Sequence, residues 1–234
     1  MMLLLQRSEK LEKMRAVVVL SGGMDSTTLL YDVKSQGYEV FAISFLYGQK
    51  HSKELEFAKK TCSLLSIPHK IVDISFFAEL APSALTTPDW DVPEGYYTDS
   101  TMKQTVVPNR NMVLLSISAA YAISLGAKKL FYGAHAGDHP IYPDCRKEFV
   151  EVMKNALYLA DYIGLELEAP YVDMKKEDIL RRGLELGVNY SLTWSCYKGG
   201  QKACGRCGTC TERIEAFKKV GVKDPIEYEI EIDW

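Results

Sequence analysis

One strand-turn-helix unit near the N-terminus constrains the fold of this chain most strongly. Residues 16–20 form a short run of apolar, mostly β-branched residues, which predicts a strand buried on both faces of a sheet. Gly22 and Gly23 follow it, and apolar residues then recur at helical spacing over residues 25–35 until Gly37 stops the pattern. The sequence therefore predicts a strand, a tight turn and a helix in direct succession.

The same alternation recurs along the chain and predicts an α/β fold. Further strands are predicted at residues 39–47, 69–74, 129–132 and 165–170, and further helices at residues 51–65, 111–125, about 146–162, 175–186 and 211–219. Strands that alternate with helices predict a doubly wound, mostly parallel sheet, in which ligands bind beyond the carboxyl ends of the strands. Polar loops follow the first, second and fourth predicted strands, so we expect the functional site there.

The length of 234 residues suits one large domain with an appendage. We expect residues 1–14 to be an N-terminal extension, residues 15–190 to form the α/β domain, and residues 191–234 to pack on that same domain. Within it, residues 76–107 are rich in proline, aspartate and tyrosine and are longer than an ordinary connection. This segment is predicted to be a functional loop or lid.

The charge of the chain argues against a nucleic-acid partner. With 28 basic and 31 acidic residues the net charge is −3, so no overall positive field attracts a phosphate backbone. A small-molecule substrate is favoured, although a local basic patch could include the C-terminal residues Lys198, Lys202, Arg206 and Arg213. The sequence has no signal-peptide pattern and no apolar stretch of roughly 20 residues, so we expect a cytoplasmic protein without membrane contact.

The loop after the first strand has the composition of a polyphosphate cradle. Adjacent glycines flanked by hydroxyl residues let backbone N–H groups point at an anion where the helix begins. The loop lacks the lysine of the kinase-type phosphate loop and the spacing of the dinucleotide-binding motif. The alternative is a capped turn in which Ser21 and Asp25 merely satisfy the N–H groups of the helix.

Two further loops carry candidate side chains. Before the helix at 111–125, Asn109 is expected to cap the helix and Arg110 to offer donors to a phosphate or a carboxylate, the alternative being a solvated arginine. After the fourth strand, Asp138 and Asp144 are candidates for holding the N–H edge of a guanine-like base, and Arg146 for pairing with a substrate carboxylate.

Other residues of the loop after the fourth strand leave alternatives open. His135 and His139 could make hydrogen bonds or bind a metal. Cys145 could be a nucleophile, although an inert buried thiol is the favoured interpretation.

Four cysteines near the C-terminus predict a metal site. Their spacing supplies four thiolates, and intervening glycines let the backbone fold around one ion; the ligands are Cys196, Cys204, Cys207 and Cys210. One structural Zn²⁺ fits best because four thiolates fill its coordination shell, and its removal should unfold the C-terminal segment. An iron–sulfur cluster is the alternative occupant.

Taken together, these motifs resemble those of a known family. The first loop, S-G-G-M-D-S-T, is similar to the pyrophosphatase-type loop (PP-loop) of adenylating ATPases. In combination with Y-G-Q-K-H, V-P-N-R-N, Y-P-D-C-R and the four cysteines, the chain resembles the 7-cyano-7-deazaguanine synthases over residues 16–220. It departs from them at His135 and His139, where an asparagine and an aromatic residue are expected.

The resemblance implies an ATP-dependent carbon–nitrogen ligase. It would convert 7-carboxy-7-deazaguanine and ammonia to 7-cyano-7-deazaguanine (preQ0), on the way to queuosine or archaeosine, and would release AMP and pyrophosphate. The implied ATP-binding residues are Leu20, Ser21, Gly22, Gly23, Met24, Asp25, Ser26, Thr27, Thr28, Leu29 and Leu30. Asp25 would also place Mg²⁺, and the implied catalytic residues are Asp25, Arg110, Asp138, Asp144 and Arg146.

Two other functions remain open at this point. A tRNA sulfurtransferase of the PP-loop group would need a persulfide-carrying thiol, for which Cys145 is the candidate, and a basic RNA-binding face. A non-enzymatic zinc protein would bind ATP without turnover. A homodimer is also possible, because folds of this kind commonly form one.

Overall fold

The computed structural model describes residues 13–50, 52–96 and 100–234. Five parallel strands in these residues form one sheet in the order β3-β2-β1-β4-β5. The strands are β1 (Arg15–Val19), β2 (Glu39–Leu46), β3 (His69–Asp73), β4 (Lys129–Phe131) and β5 (Glu166–Glu168). The helices are α1 (Met24–Ser35), α2 (Lys53–Leu65), α3 (Phe77–Leu80), α4 (Arg110–Ser124), α5 (Lys147–Leu159), α6 (Lys176–Glu185) and α7 (Gly208–Val220).

The central strand β1 is buried on both faces, as its apolar sequence predicts. Val17 packs in one apolar layer with residues of α4 and α5, whereas Val18 packs in the other with residues of α1 and α2. Both valines are fully buried. Because successive side chains of a strand point to opposite faces, this strand needs helices on both sides of the sheet. The predicted doubly wound α/β fold is confirmed.

The strand order places the functional loops together. From β1 the chain proceeds outward to β2 and β3, and then returns to place β4 on the other side of β1. The sheet therefore has its topological switch point between β1 and β4, where the loops at the carboxyl ends diverge and leave a crevice. The loop after β1, at residues 21–28, is the predicted polyphosphate cradle and is called the phosphate loop below. This loop and the polar loop after β4 border the crevice.

The segment at residues 76–107 is more regular than predicted. It contains α3 and a 3₁₀-helix at Ser100–Thr105, in which Met102 and Thr105 are buried. Farther along the segment, the N–H of Gly95 donates to the carbonyl of Arg206 at 3.0 Å. Its internal packing was missed because proline-rich and tyrosine-rich sequence carries no helical or strand period.

Several predicted boundaries also differ. Helix α5 ends at Leu159 rather than near residue 162, β5 spans three residues instead of six, and α7 begins at Gly208, three residues before the predicted start. The predicted start of α2 at His51 and the predicted N-terminal extension, apart from residues 13 and 14, lie outside the described residues. Among the helices of the described residues, none is long and apolar enough to cross a membrane.

One of the four candidate residues for a local basic patch is not at the surface. Arg213, on α7, is fully buried, and its guanidinium donates to both carboxylate oxygens of Asp224 at 2.6 and 2.9 Å. It also donates to Thr193 Oγ1 at 2.8 Å and to the carbonyl of Tyr190 at 3.2 Å. A fork of donors that is satisfied in this way holds α7, the segment before the cysteines and the C-terminal tail together.

We predict that Arg213→Met destabilises the protein by about 3–5 kcal/mol, because it leaves the buried carboxylate of Asp224 without its partner. Urea unfolding followed by circular dichroism measures the change. The control is Lys202→Met, which removes an exposed ion pair with Glu227 and should change stability little. Equal stabilities of the two variants would show that the ion pair between Arg213 and Asp224 does not hold these segments together.

Candidate active site

A cavity of about 230 Å³ lies at the carboxyl ends of the strands. Its wall includes Ser21, Gly23, Asp25 and Ser26 of the phosphate loop, and Asp138 of the loop after β4. Side chains from α2, α4 and α6 and from the cysteine-rich segment complete the wall. Residues that are remote in sequence therefore meet at the crevice that the topology predicts.

Close packing holds the phosphate loop in its shape. Gly22 has a φ of +96°, and a Cβ atom at this position would lie 2.0 Å from the carbonyl oxygen of Glu54 in α2. The carbonyl of Gly22 accepts a hydrogen bond from the N–H of Trp194 at 2.9 Å. Only glycine combines this backbone angle with such a close approach.

Hydroxyl groups complete the loop. The hydroxyls of Ser21 and Ser26 lie 2.9 Å apart, and the N–H of Gly23 donates to Ser21 Oγ at 3.1 Å. Helix α1 has no side-chain cap at its N-terminal residue, Gly23. Ser21 therefore satisfies one N–H group at the start of α1, as in the capped-turn alternative, whereas Asp25 Oδ1 has no hydrogen-bond partner among the described residues and its Oδ2 faces Lys176.

Some residues of the predicted ATP-binding segment do not line the cavity. Thr28 Oγ1 is hydrogen-bonded to the carbonyl of Met24 and to the hydroxyl of Tyr190, both at 2.8 Å. The remaining apolar members are packed into the apolar clusters beneath the sheet and helices: Leu20, Met24, Leu29 and Leu30. Thr27 is buried, and its Oγ1 has no hydrogen-bond partner among the described residues. The ATP-binding role of these residues remains a prediction.

Asp25 is at the centre of a charged cluster. Its Oδ2 lies 3.3 Å from Lys176 Nζ and 3.7 Å from His135 Nε2. Lys176 in turn pairs with Glu212 of α7 at 2.5 Å, and Asp138 Oδ2 lies 3.5 Å from His135 Nε2. Burial opposes ionisation of Asp25, but the charge of Lys176 and its hydrogen bond act against burial, and the pKa of the carboxyl is lowered.

His135 is a hydrogen-bonding residue in this cluster. Its Nδ1 accepts the N–H of Gly137 at 3.0 Å, so the proton of the neutral ring is on Nε2, the atom that faces Asp25 and Asp138. Neither nitrogen keeps a free lone pair in this arrangement. The hydrogen-bonding alternative for His135 is therefore favoured over metal binding.

Arg110 faces the cavity from the start of α4. Its guanidinium centre lies 5.7 Å from the ring centre of Tyr47. Burial works against its charge, yet Tyr47 and Asp144 keep the pKa of the guanidinium above its ordinary value. A half-buried, permanently charged fork of donors is suited to an anionic group of a substrate.

The expected cap of α4 is provided by a different residue. Asn109 has a left-handed backbone with φ of 59° and makes no side-chain cap bond. Asp144 Oδ2 instead accepts the N–H of Asn111 at 3.0 Å. Asp144 thus binds the helix terminus and lies outside the cavity wall, as does Arg146, which is exposed and donates to the carbonyl of His139 at 2.9 Å.

The four cysteines form a compact cluster. The Sγ atoms of Cys196, Cys204, Cys207 and Cys210 all lie within 4.8 Å of one another, and all four residues are buried. A tetrahedral zinc site with bonds of about 2.3 Å places its sulfurs about 3.8 Å apart, and Cys204 Sγ lies 3.9 Å from Cys210 Sγ. The predicted set of four metal ligands is brought together in space.

Backbone groups also prepare the cluster for a cation. The N–H groups of Lys198 and Cys204 donate to Cys196 Sγ at 3.4 and 3.3 Å. Those of Arg206 and Cys207 donate to Cys204 Sγ at 3.4 and 3.3 Å. Such donors favour ionised sulfur, which is the form that binds metal.

Comparison with known proteins identifies the family. A sequence model described as queuosine biosynthesis protein QueC matches residues 15–221. The chain belongs to the QueC family. A 7-cyano-7-deazaguanine synthase of Caldicellulosiruptor bescii is 99% identical over 94% of this chain and 100% of that protein.

A more distant QueC relative, the 7-cyano-7-deazaguanine synthase of Methanoregula boonei, is 62% identical and covers 92% of this chain and 100% of its own length. An NMN synthetase of Francisella tularensis shares the fold with a TM-score of 0.50 and 13% identity, over 91% of this chain and 78% of that chain. The expected family and fold are confirmed by these similarities.

Sequence reasoning missed several residues that line this candidate site. Lys176 carries no motif, although it lies beyond the carboxyl end of β5, where ligand contacts are expected. Glu54 lies five residues beyond a recognised motif residue, Gln49, and reaches the cavity from the first turn of α2. The cysteine-rich segment contributes the wall residues Trp194, Ser195, Tyr197 and Thr209.

We predict that Gly22→Ala abolishes ATP binding and destabilises the protein. The variant combines an unfavourable backbone angle, worth about 1–2 kcal/mol, with a collision against Glu54. Gly37→Ala is a matched control, because Gly37 has a φ of +89° and a Cβ there meets no atom within 4 Å. Titration calorimetry with ATP and thermal unfolding should separate them; equal ATP affinities would contradict the role of the close approach.

Proposed function

We propose that this chain catalyses the ATP-dependent conversion of 7-carboxy-7-deazaguanine and ammonia to 7-cyano-7-deazaguanine, the preQ0 of queuosine biosynthesis. The observation that carries the proposal is the near-complete identity with a synthase of that name, over the whole length of that relative. The geometry supports it, because the phosphate loop and the cationic side chains Arg110 and Lys176 border one cavity.

The phosphate loop is suited to the pyrophosphate that leaves ATP. Ser21, Gly23 and Ser26 border the cavity at the start of α1, where N–H groups and the helix dipole favour an anion. Lys176 provides a buried positive charge beside them, because Asp25 and Glu212 outweigh burial and raise its pKa. The phosphate loop itself contains no lysine. Lys176 therefore provides the charge that neutralises the leaving diphosphate.

Asp25 is the proposed ligand of Mg²⁺. Its Oδ1 is buried and has no hydrogen-bond partner in the described part of the chain, as expected for an oxygen reserved for a cation. The lowered pKa of Asp25 keeps this oxygen ionised. Bound Mg²⁺ would neutralise the charge that develops on the phosphate oxygens.

Asp138 is the better candidate for the base-reading carboxylate. It lines the cavity, whereas Asp144 binds the terminus of α4 and lies behind the wall. Arg110 is the proposed partner of the substrate carboxylate or the α-phosphate, since its guanidinium is inside the cavity and that of Arg146 is outside. Asp144 and Arg146 are proposed to act indirectly, by holding the loop after β4.

The reaction consists of two rounds of nucleotidyl transfer. The substrate carboxylate attacks the α-phosphorus of ATP and expels pyrophosphate, after which ammonia displaces AMP and leaves an amide. The amide oxygen then attacks a second ATP in the same way, and loss of AMP from the product leaves the nitrile. The protein contributes positioning, cationic stabilisation and exclusion of water, rather than a covalent intermediate of its own.

The structure disfavours the sulfurtransferase alternative. Cys145 is buried, and burial with the nearby Asp138 and Asp144 raises the pKa of its thiol well above the ordinary value. Such a thiol is a poor nucleophile and a poor carrier of sulfur. The burial of Arg213 also removes one member of the basic patch that an RNA substrate would require.

Incubation with ATP, Mg²⁺, ammonium and 7-carboxy-7-deazaguanine tests the proposal directly. We expect the nitrile product, with two AMP formed for each nitrile, measured by liquid chromatography and mass spectrometry. Omission of the deazaguanine should abolish AMP release. Substrate-independent release of ADP, or ATP binding without turnover, would contradict the ligase assignment.

We also predict that the purified protein contains one zinc ion and that Cys207→Ser loses it. Because neighbouring residues Trp194 and Tyr197 line the cavity, metal loss should lower ATP affinity as well as thermal stability. Cys62→Ser is the control, since Cys62 is buried in the apolar cluster around α1 and α2. Elemental analysis that finds iron, or zinc retained in Cys207→Ser, would overturn the zinc assignment.

A further inference from the structure

Glu54 is a cavity residue to which the reaction described above gives no task. It belongs to the first turn of α2, and its side chain borders the cavity beside Tyr47 and Arg110. Its own carbonyl packs against Gly22, so the position of this residue is fixed relative to the phosphate loop. Its carboxyl group therefore borders the same cavity as the phosphate loop, where the nucleotide and the substrate are proposed to meet.

The chemistry requires a proton acceptor at that place. Attack of ammonia on the acyl adenylate gives an adduct with an N–H₃⁺ group, which must lose a proton before a neutral amide results. The O-adenylated amide must lose two more N–H protons to become a nitrile. All three protons leave the same nitrogen atom, so one base close to that atom can serve every step.

Other ionisable groups of the described wall are engaged or unsuited. His135 Nδ1 accepts the N–H of Gly137, its Nε2 faces Asp25 and Asp138, and one oxygen of Asp25 faces Lys176. Lys176 is held protonated by its acidic neighbours, and the Cys145 thiol is held protonated by burial, which raises its pKa. Neither of these two residues can accept a proton near neutral pH.

Glu54 differs from Lys176 and Cys145, because its carboxyl group can gain and lose a proton near neutral pH. Burial raises the pKa of its carboxyl to about 7, while Arg110 and the Gln49 side chain limit the rise. Tyr47 faces it from the end of β2, and Lys53 on its own helix donates instead to the carbonyls of Gly200 and Gln201. A carboxyl group that exchanges protons near neutrality is matched to general base catalysis.

We propose that Glu54 is the general base that removes the protons from the substrate nitrogen, an assignment that rests on the function proposed above. In the first step the N–H bond breaks, its electron pair stays on nitrogen, the proton moves to a Glu54 carboxylate oxygen, and collapse of the adduct expels AMP. In the later steps adenylation of the amide oxygen first draws the nitrogen lone pair into a C=N bond. Glu54 then removes one proton, and the electron pair of that N–H bond forms the third C–N bond as the C–O bond breaks and AMP departs. It also removes the last proton, whose electron pair stays on nitrogen as the lone pair of the nitrile. Glu54 returns each proton to solvent before the next transfer.

Glu54→Gln separates this role from nucleotide binding. Adenylation of the carboxylate breaks no N–H bond, so exchange of labelled pyrophosphate into ATP, measured with 7-carboxy-7-deazaguanine and without ammonium, should be unchanged. Formation of amide and nitrile should fall by about 10²-fold or more. Glu56→Gln, an exposed acid in the same helical turn, is the matched control and should be fully active.

The dependence on pH gives a readout that a structural role would not move. At constant free ammonia, nitrile formation by the unaltered protein should rise through about pH 7 as Glu54 ionises. Glu54→Gln should lose this rise, and Glu54→Asp should restore it together with part of the rate. A rise that persists in Glu54→Gln would overturn the proposal.

The exchange reaction distinguishes the two ways of failing. If Glu54→Gln loses pyrophosphate exchange as completely as it loses nitrile formation, Glu54 orders the site and is no proton acceptor. If the unaltered protein itself shows no exchange that depends on 7-carboxy-7-deazaguanine, the proposed function is wrong. Thermal unfolding of Glu54→Gln and Glu54→Asp verifies that each variant is folded.

Discussion

A chain of charges around the buried Lys176 joins the parts of this protein that must act together. Asp25 follows β1, Lys176 begins α6, and Glu212 lies on α7 behind the cysteine cluster. A buried lysine is tolerable only with acidic partners at short range, so the three elements are held in one arrangement. The hydrogen bond from Trp194 to Gly22 joins the same two regions through the backbone. The phosphate loop and the cysteine-rich segment are therefore parts of one site.

The fold could be predicted from the sequence because its determinants are local. The apolar run of β1 and the glycines after it specify a buried strand and a tight turn, and repetition of the unit specifies a parallel sheet. The four cysteines were equally informative, since their spacing permits one metal site. Helix and strand ends were less predictable, because fraying and tertiary contacts set them.

The missed residues of the site share a physical feature. Tertiary packing brings three of them to the cavity: Lys176, Glu54 and Trp194. No sequence motif that includes these residues predicts their position there. For Asp144 the sequence suggested a contact with substrate, whereas its carboxylate accepts the N–H of Asn111 in the structure, and its catalytic role stays a prediction. A carboxylate in a polar loop has several possible donors, and only the three-dimensional arrangement selects among them.

The cysteine cluster makes the shape of the cavity dependent on the supply of a metal ion. Trp194, Tyr197 and Thr209 belong to the segment that the cysteines fold, and all three form part of the cavity wall. Chains that are synthesised while the ion is scarce would have an unfolded C-terminal segment, and their cavity would lack part of its wall. With the proposed zinc at this cluster, the output of modified nucleoside precursor would follow the supply of a trace element.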